Sequence, residues 1–432
     1  MPHRIYQLAD LLLDFTFYYP LFMSYLWMVG ALFYYLRYER KSGDAQHPPV
    51  LSSHPGVTIV IPCHNEEDHV RETVGAALAM EYPDFEVIAI NDGSTDRTGE
   101  ILNELSRQNP RLRVIHQAKN QGKAVGLNTA ALLTRNEYLV CIDGDALLEP
   151  HVLHWMMLHF LSGPRVGSVT GNPRIRNRST LLGRIQVGEF SSIIGLIKRA
   201  QRTYGRIFTV SGVIAGFRRA ALHDVGYWSP NMLTEDIDIS WKLQLNHWDV
   251  RYEPRALCWI LMPETFRGLW RQRVRWAQGG TQVLLKYLPS LLNWRKRRMW
   301  AVYVEYFISV AWAYALFSAF IVFLTDALVI DLSPYLPIPS LVPRWNGVLI
   351  GSTCLLQIGI SLKLDARYDH DLGKMYFWMI WYPLAYWVLN VLTTVYAVPK
   401  TLLRDRKARA IWKSPDRGLQ GQSVDRPNEN RP

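Results

Sequence analysis

The first long apolar run of the chain covers residues 15–36, which contain no charged side chain. A transmembrane helix needs about 20 mostly apolar residues, so this run predicts a helix that spans a membrane. The run is too long for the core of a signal peptide, and no small-residue cleavage site follows it. Arg37, Arg40 and Lys41 come directly after it. By the positive-inside rule they place the next segment in the cytoplasm, and we assign residues 1–41 to an N-terminal membrane segment.

Between residues 57 and 276 the apolar runs are shorter and alternate with helical patterns. A Pro-, Ser- and Gly-containing linker, residues 42–56, precedes this region. Helical periodicity is found at 66–80, and a polar helix is predicted at 98–108. The alternation of strands and helices predicts an α/β domain with a mostly parallel sheet over residues 57–276. The predicted buried strands are 57–62, 85–92, 112–117 and 138–143.

The C-terminal part of the chain carries three further apolar runs, with Tyr and Trp near their ends. They predict a membrane region over residues 299–398. Before it, residues 277–298 combine an amphipathic helix with a basic stretch and are expected to lie in the membrane interface. The three apolar runs are 306–325, 345–362 and 375–398.

The basic tail, residues 399–432, conflicts with these three crossings. Three crossings that start in the cytoplasm would place the tail outside, against the positive-inside rule. Either one run does not cross the membrane, or the tail is an exception to the rule. The last dozen residues of the tail are expected to be disordered.

Composition and charge agree with a membrane-associated protein whose cysteines lie in a reducing compartment. The net charge is +11, and much of the basic charge flanks the apolar runs, which favours a membrane surface over nucleic acid as the partner. Hydrophobic residues make up 49% and aromatic residues 12% of the chain. The four cysteines form no CxxC pair, so we expect buried thiols rather than disulfides or a metal framework.

Acidic side chains follow two of the predicted strands, where open α/β sheets bind their ligands. Asp92 precedes a Gly turn and is expected to accept a hydrogen bond from a base or a ribose. Asp143 and Asp145 flank Gly144, and two such carboxylates can reach a divalent cation held on a diphosphate. The same Asp-Gly-Asp sequence also occurs in ordinary turns. The segment from Pro62 through Asn65 to Glu66, at the end of the first strand, is expected to shape the same pocket.

A second set of candidate residues combines acid, base and aromatic groups. Thr234-Glu235-Asp236 offers Asp236 as a general base. Farther along, Arg275 offers a planar cation for a diphosphate leaving group, and Trp276 offers a flat face on which a sugar ring can stack. Each of these residues alone has an ordinary explanation as a helix cap or an interfacial side chain. Their shared order and spacing favour a catalytic site.

Lys123 lies in a Gly-containing turn and is expected to contact phosphate or uridine. No Ser or Thr follows Lys123, and the upstream Gly of a Walker loop is missing. ATP hydrolysis is therefore not expected.

Together, Asp92, Asp143-Gly144-Asp145, Thr234-Glu235-Asp236 and Gln272-x-x-Arg275-Trp276 resemble the D, DxD, TED and QxxRW motifs of processive family 2 glycosyltransferases. That family includes cellulose, chitin and hyaluronan synthases. Three other stretches are similar to the bacterial synthases of poly-β-1,6-N-acetylglucosamine, a biofilm polysaccharide, and the similarity runs from the first apolar segment to residues 414–418. These stretches are 169–176, 211–218 and 256–264.

The resemblance implies a GT-A fold, a Rossmann-like α/β domain with a mostly parallel sheet, in the cytoplasm and flanked by transmembrane helices. It implies a UDP-GlcNAc donor, Mg²⁺ or Mn²⁺ held by Asp145 and Asp143, and a growing polysaccharide that crosses the bacterial inner membrane. The implied catalytic residues are Asp236, Glu235, Asp145 and Arg275. The implied substrate-binding residues are Pro62, Asn65, Glu66, Asp92, Lys123, Asp143, Gly144, Ser211, Gly212, Gln272 and Trp276.

Relatives of this kind often have a small two-helix membrane subunit, and some respond to cyclic di-GMP. The chain has no room for an appended cyclic-dinucleotide domain, so such control would act through the membrane region or a partner. The motifs leave open a synthase of hyaluronan, chitin or cellulose type. A non-processive lipid-phosphate sugar transferase shares the Asp motifs, although the complete QxxRW motif favours processivity. The chain could also be a membrane transporter or scaffold with a degenerate nucleotide domain. A transporter usually carries intramembrane charges or broken helices, and the three C-terminal runs contain few candidates beyond Glu305 at an edge and Pro383 within a run.

Overall fold

The computed structural model describes residues 2–40, 46–338, 345–405 and 407–411. Some of the sequence-based predictions fall outside this part of the chain. They concern Lys41, the first part of the linker, Arg406 of the basic tail, the end of the tail expected to be disordered, and the similarity at residues 414–418.

An eight-stranded sheet forms the centre of the α/β domain, in the order β3-β2-β1-β4-β7-β6-β8-β5. Strands β1 to β4 are parallel to one another, β7 is antiparallel to both β4 and β6, and β8 is parallel to β6. The four predicted strands are confirmed, with ends within one residue of the prediction. The strands are β1 Val57–Cys63, β2 Phe85–Asp92, β3 Leu112–Gln117, β4 Tyr138–Ile142, β5 Leu147–Leu148, β6 Val166–Ile175, β7 Ile214–Arg218 and β8 Asp249–Ile260.

Two apolar cores cover the two faces of this sheet because neighbouring strand residues point to opposite sides. Ile59 and Ile61 of β1 pack into one core, whereas Val60 packs into the other. All three side chains are fully buried. The continuous apolar runs of the sequence are therefore those of strands covered by helices on both faces.

Fourteen α-helices are found in the described part of the chain. They are α1 Pro2–Tyr34, α2 Val70–Leu78, α3 Thr98–Gln108, α4 Lys123–Leu133, α5 Val152–Leu161, α6 Leu181–Phe190, α7 Ile197–Tyr204, α8 Arg219–Asp224, α9 Glu235–Leu245, α10 Phe266–Leu291, α11 Trp300–Leu328, α12 Trp345–Asp365, α13 Leu372–Met375 and α14 Trp387–Leu402.

Three helical segments of the described residues are long and apolar enough to cross a membrane. They are Arg4–Glu39, Trp294–Leu328 and Trp345–Asp365. The first begins well before the predicted residue 15 because the polar residues near the N-terminus interrupt the apolar run without ending the helix.

The third predicted C-terminal span, 375–398, is not one straight helix in the structure. A 3-10 segment, Tyr376–Trp381, and a π segment, Tyr382–Tyr386, precede α14. Pro383 lies in the π segment, and its missing N–H interrupts regular helical hydrogen bonding. Met379 packs so closely on Gly188 of α6 that a Cβ on this glycine would overlap its sulfur. Residues 376–386 therefore pack against the α/β domain. This packing favours the alternative in which the run 375–398 does not cross the membrane.

The predicted interface helix also differs from the structure, because α10 begins at Phe266 rather than at residue 277. Thr265 caps α10, and its hydroxyl accepts the N–H of Gly268 at 3.1 Å. The helix consequently includes Gln272 and Trp276, so the QxxRW motif lies on the same helix as the predicted interface segment.

Buried ion pairs join the membrane helices to the α/β domain. Arg199 of α7 contacts Glu39, at the end of the first membrane segment, at 2.6 Å and Asp365, at the end of α12, at 2.8 Å. Arg174 of β6 contacts the other oxygen of Asp365 at 2.6 Å. These side chains are at most 2% exposed. The ends of two membrane helices are thus fixed to the catalytic domain through complementary charges.

The last described residues return to the α/β domain. Ala410 donates its N–H to Pro230 O at 2.9 Å, and Arg409 Nη1 donates to Gln121 Oε1 at 3.4 Å. Gly122 packs so tightly against the carbonyl of Ala410 that a Cβ there would overlap it. Residues 407–411 therefore lie on the same side of the membrane helices as the domain.

Candidate active site

Asp92, at the end of β2, holds the loop that leads into α4. Its side chain is fully buried, and its two carboxylate oxygens accept the backbone N–H groups of Gln121 at 2.7 Å and Gly122 at 2.8 Å. Gly122 adopts a positive φ of 93°, which favours glycine. In this structure the carboxylate faces the loop, and a direct contact between Asp92 and a nucleotide stays a prediction.

Lys123, the first residue of α4, brings three of the predicted motifs together. Its Nζ lies 2.5 Å from Asp143 Oδ1, 3.0 Å from Glu235 Oε1 and 2.9 Å from the carbonyl oxygen of Gly212. Burial opposes the charge of Lys123, but Asp143 and Glu235 outweigh it and hold the pKa above its ordinary value. The ammonium group is therefore charged, and it links the end of β4, the start of α9 and the turn at Gly212.

Asp143, Gly144 and Asp145 follow β4 and pack against the end of β1. Asp145 is 5% exposed, whereas the Asp143 side chain is 23% exposed. A Cβ on Gly144 would come 3.1 Å from Glu66 Cγ and 3.3 Å from Pro62 O. Glycine is therefore required for this close approach, which brings the carboxylate pair beside the predicted pocket residues.

The donor set of the Asp-Gly-Asp turn suits a hard divalent cation. Within the described residues, no group of three or more His, Cys, Asp or Glu side chains could hold a metal on its own. Two carboxylates in an oxygen-rich turn match Mg²⁺ or Mn²⁺, which take further ligands from phosphate and water. Asp143 already forms an ion pair with the ammonium group of Lys123, so a positive group is accommodated at this turn.

Asn65 lies at the rim of this pocket in the left-handed region, with φ of 55°. Its side-chain oxygen accepts the N–H of Thr95 at 2.9 Å, and its own N–H donates to Ser94 Oγ at 3.1 Å. The side chain is exposed. Asn65 thus joins the end of β1 to the turn that follows β2, and its pocket-shaping role stays a prediction.

Asp236, the second residue of α9, faces the Ser211–Gly212 turn. Its Oδ2 accepts the N–H of Gly212 at 3.2 Å, and its Oδ1 accepts the N–H of Ile237 at 2.9 Å. Burial, followed by the charge of the neighbouring Glu235, raises the pKa of Asp236 to about 6. The pKa of Glu235 is lowered although burial opposes this, mainly because Lys123 lies beside it. The pKa values of two adjacent carboxylates are therefore shifted in opposite directions, a pattern found in acid–base sites.

The QxxRW residues lie on α10, beside the start of α9. Arg275 is exposed, and its Nη1 donates to Leu233 O at 3.5 Å, next to the Thr234-Glu235-Asp236 motif. Gln272 is half-buried, and its Nε2 approaches Met262 Sδ at 3.9 Å. Trp276 is also half-buried. Helix α10 thus brings a cation to the acidic cluster and carries the indole ring one residue farther along.

One face of the Trp276 indole is covered by Arg273. The guanidinium carbon of Arg273 lies 4.3 Å from the ring centroid, and Arg273 is paired with buried Glu189 of α6. Phe190 packs at the side of the ring, with centroids 6.3 Å apart. The ring is therefore fixed by neighbours that the sequence motifs do not include. Nothing in the sequence identified Arg273 or Glu189, because their ion pair joins α6 to α10 across 84 residues of the chain.

Residues 54–279 match the family model described as "Glycosyltransferase like family 2". The chain belongs to glycosyltransferase family 2. This glycosyltransferase is 39% identical over 410 residues to a poly-beta-1,6-N-acetyl-D-glucosamine synthase of Staphylococcus epidermidis, covering 94% of this chain and 98% of the relative. The protein of the same description in Staphylococcus aureus is 37% identical over 406 residues, with 94% and 98% coverage.

A solved structure of a mannosyltransferase from Pyrobaculum calidifontis, in complex with GDP-Man and Mn²⁺, superimposes on this glycosyltransferase with a TM-score of 0.64. The alignment covers 92% of this chain and 99% of the mannosyltransferase at 19% identity. At this identity the likeness concerns the fold. With the family match, it confirms the predicted GT-A class and extends over the membrane helices as well as the α/β domain.

Proposed function

We propose that this glycosyltransferase polymerises N-acetylglucosamine from UDP-GlcNAc into a β-1,6-linked polysaccharide. The observation that carries the proposal is Asp236, a carboxylate with a raised pKa that faces Gly212 beside the Lys123–Asp143–Glu235 cluster. The choice of sugar and linkage is supported by the staphylococcal relatives, which match over 94% of this chain.

Asp236 is the proposed general base. A donor sugar that is α-linked to UDP becomes β-linked when an acceptor hydroxyl displaces UDP directly from the opposite face. The hydroxyl proton passes to Asp236 as the new bond forms, a contribution typically worth ~10²–10⁴ in rate. The Gly212 N–H and the start of α9 hold this carboxylate in one direction. A single base suffices, so no covalent sugar–enzyme intermediate forms.

Positive groups on the leaving-group side stabilise the charge that develops on UDP. Arg275 is exposed beside α9 and provides a planar cation for the diphosphate. Asp143 and Asp145 would hold Mg²⁺ or Mn²⁺, which when bound acts as a Lewis acid for the leaving diphosphate. Lys123 lies at the same edge, and we propose that it faces the nucleotide while Asp92 keeps its loop in place.

Trp276 is the proposed stacking platform for the acceptor sugar. It lies on α10, between the acidic cluster and the membrane helix α11, and its ring is held from behind by Arg273. A sugar on the free face of the indole would have its hydroxyl directed toward Asp236. Retention of the product on this platform explains how one chain is extended repeatedly.

We propose that the chain spans the bacterial inner membrane with the catalytic domain in the cytoplasm, where nucleotide sugars are made. The exposed apolar side chains of α1 and α11 support burial in lipid. A small two-helix membrane subunit and control by cyclic di-GMP stay predictions of the family resemblance.

Incubation of the lipid-embedded protein with radiolabelled UDP-GlcNAc and Mg²⁺ tests the proposal. We expect a polymer that a β-1,6-specific hexosaminidase degrades and that chitinase and hyaluronidase leave intact. A product one sugar long would favour a non-processive transferase, and incorporation of a different sugar from a panel of UDP-sugars would contradict the donor assignment. Asp236→Asn should bind UDP-GlcNAc with unchanged Kd yet form no polymer. Polymerisation at the wild-type rate would exclude Asp236 as the base.

A further inference from the structure

Lys198 of α7 is a buried lysine that donates hydrogen bonds to two hydroxyl groups. It is 3% exposed, and its Nζ donates to Ser211 Oγ at 2.6 Å and to Thr170 Oγ1 at 3.2 Å. In the described part of the chain, no carboxylate lies within ion-pairing distance of this ammonium group. Burial of an unpaired charge is costly for stability, and groups of this kind concentrate at functional sites.

The hydrogen bonds of Lys198 lead directly to the proposed base. Thr170 Oγ1 accepts the backbone N–H of Ser211 at 2.8 Å in addition to its bond from Lys198. Ser211 is therefore fixed through both its side chain and its backbone. The next residue, Gly212, donates its N–H to Asp236 Oδ2 at 3.2 Å.

The same turn is also held from the opposite side. Lys123 Nζ donates to the carbonyl oxygen of Gly212 at 2.9 Å. A Cβ on Gly212 would come 3.0 Å from Asp236 Oδ2, so the backbone of the turn lies directly on the carboxylate. Lys123 thus holds the turn from the side of the candidate active site, and Lys198 holds it from the protein interior.

We propose that Lys198 is a positioning residue for the glycosyl transfer, which fixes the Ser211–Gly212 turn against Asp236 and places a positive charge behind this base. The inference rests on the proposed function, because it takes Asp236 as the base. It assigns a role to a residue outside all four sequence motifs.

The charge of Lys198 acts on Asp236 together with the other groups around this carboxylate. Glu235 disfavours the ionised form of Asp236, whereas Lys123 and Arg275 favour it. Burial lowers the pKa of Lys198 to about 7, and the attraction of Asp236 opposes this effect. The ammonium form therefore favours ionised Asp236 below neutral pH, where Asp236 would otherwise take up a proton.

Lys198→Met separates this role from a purely structural one. Replacement of Lys198 by an apolar side chain of similar length removes a buried charge that is costly to keep out of water. We therefore expect a melting temperature equal to or above that of the wild type. We expect kcat to fall about 10–100-fold, as for other residues that orient a reacting group. The acidic limb of the kcat profile should move to higher pH, because Asp236 loses a nearby positive charge.

Lys242→Met is the matched control. Lys242 is also a partly buried lysine, but its Nζ donates to Tyr227 O at 2.7 Å and lies 3.8 Å from Asp238. Its loss should lower the melting temperature and leave the acidic limb in place. If Lys198→Met does not fold, Lys198→Gln provides the same test, because it keeps a donor for Ser211 and removes the charge.

The outcomes distinguish the inference from the proposed function. The role of Lys198 would be overturned if the wild type forms polymer while the Lys198 variant keeps its kcat within twofold of the wild type and its acidic limb unmoved. A reduced kcat with an unmoved limb would also overturn it, since only packing would then have been lost. A wild-type protein without polymer, or an active Asp236→Asn variant, would instead overturn the proposed function.

Discussion

Gly279 of α10 packs directly against Thr234, the residue that precedes α9. A Cβ built on Gly279 would overlap the hydroxyl of Thr234. The helix that carries Gln272 and Trp276 is therefore in backbone contact with the segment that carries Asp236. A second connection lies farther along the same two helices, where Tyr287 donates to Asp238 at 2.8 Å. Two contacts between α9 and α10 thus tie the helix of the proposed base to the helix of the proposed acceptor platform.

Gly279→Ala should separate these two helices. The added methyl group has no space, and overpacking of this kind typically costs about 1–3 kcal/mol of unfolding free energy. We expect a lower melting temperature and a loss of polymerisation larger than the loss of stability accounts for. Gly351→Ala is the control, because a Cβ on that helical glycine meets nothing within 4 Å. Equal behaviour of both variants would refute a special role for the α9–α10 contact.

The pKa of Asp236 predicts the pH dependence of turnover. Burial and Glu235 raise this pKa to about 6, and only the ionised carboxylate can accept a proton. Because the base form is lost on protonation, kcat should decline as the pH falls through about 6, to about one tenth at one unit below. Initial rates of UDP release measure this limb.

The Glu235→Gln variant tests whether the charge of Glu235 raises the pKa of Asp236. Removal of the neighbouring negative charge should lower the pKa of Asp236 and move the acidic limb to lower pH. A limb that moves to higher pH, or a profile that is flat across this range, would contradict the assignment.

Arg199 is predicted to be important for stability. Its replacement by Met would remove the ion pair of buried Glu39 and one of the two ion pairs of buried Asp365, which keeps Arg174. Removal of one partner from a buried ion pair typically costs about 3–5 kcal/mol. We expect a lower melting temperature and earlier proteolysis between the first membrane segment and β1. Arg71→Met is the comparison, because the Arg71–Glu104 pair lies on the surface with about half of each side chain exposed. A surface pair of this kind should contribute little.

Removal of divalent cations tests the Asp143–Asp145 pair. Excess EDTA should abolish polymerisation, and Mg²⁺ or Mn²⁺ in excess should restore it, because the leaving diphosphate needs positive charge beyond Arg275. Asp145→Asn should raise the metal concentration needed for half-maximal rate. Full activity in EDTA would exclude a required metal.

Trp276→Ala should shorten the polymer more than it slows the first transfer. The indole is the proposed stacking surface, and an aromatic contact typically contributes about 1 kcal/mol beyond its buried area. We expect mean chain length to fall several-fold, with partial recovery in Trp276→Phe. Arg271→Ala, an exposed position on the same helix, should leave chain length unchanged. Gel separation of radiolabelled products gives the length distribution.

Much of the domain could be predicted from the sequence because the signals are local. Strand β2 was predicted at its observed ends, and α3 likewise, since apolar runs and polar helical patterns end at Gly or Pro turns. The acidic motifs were found because they follow buried strands. The break at residues 376–386 was not predicted: Pro383 is visible in the sequence, but the packing of Met379 on Gly188 of α6 is a contact between distant segments.

The least predictable parts are contacts between distant segments. Arg199 pairs with Glu39, 160 residues earlier, and with Asp365, 166 residues later. Lys198 follows an apolar stretch, where a lysine is typical of a membrane interface. Only the folded chain shows that its ammonium points at Ser211 and away from lipid headgroups.

The hydrogen bond between Ala410 and Pro230 has a consequence for how the protein is labelled. A reporter attached within residues 407–411 would stand in the same aqueous compartment as the α/β domain, near the loop at Gln121. Cysteines introduced at Lys407 and at Arg97 should therefore react together with an impermeant maleimide, or both escape it, in sealed vesicles of either orientation.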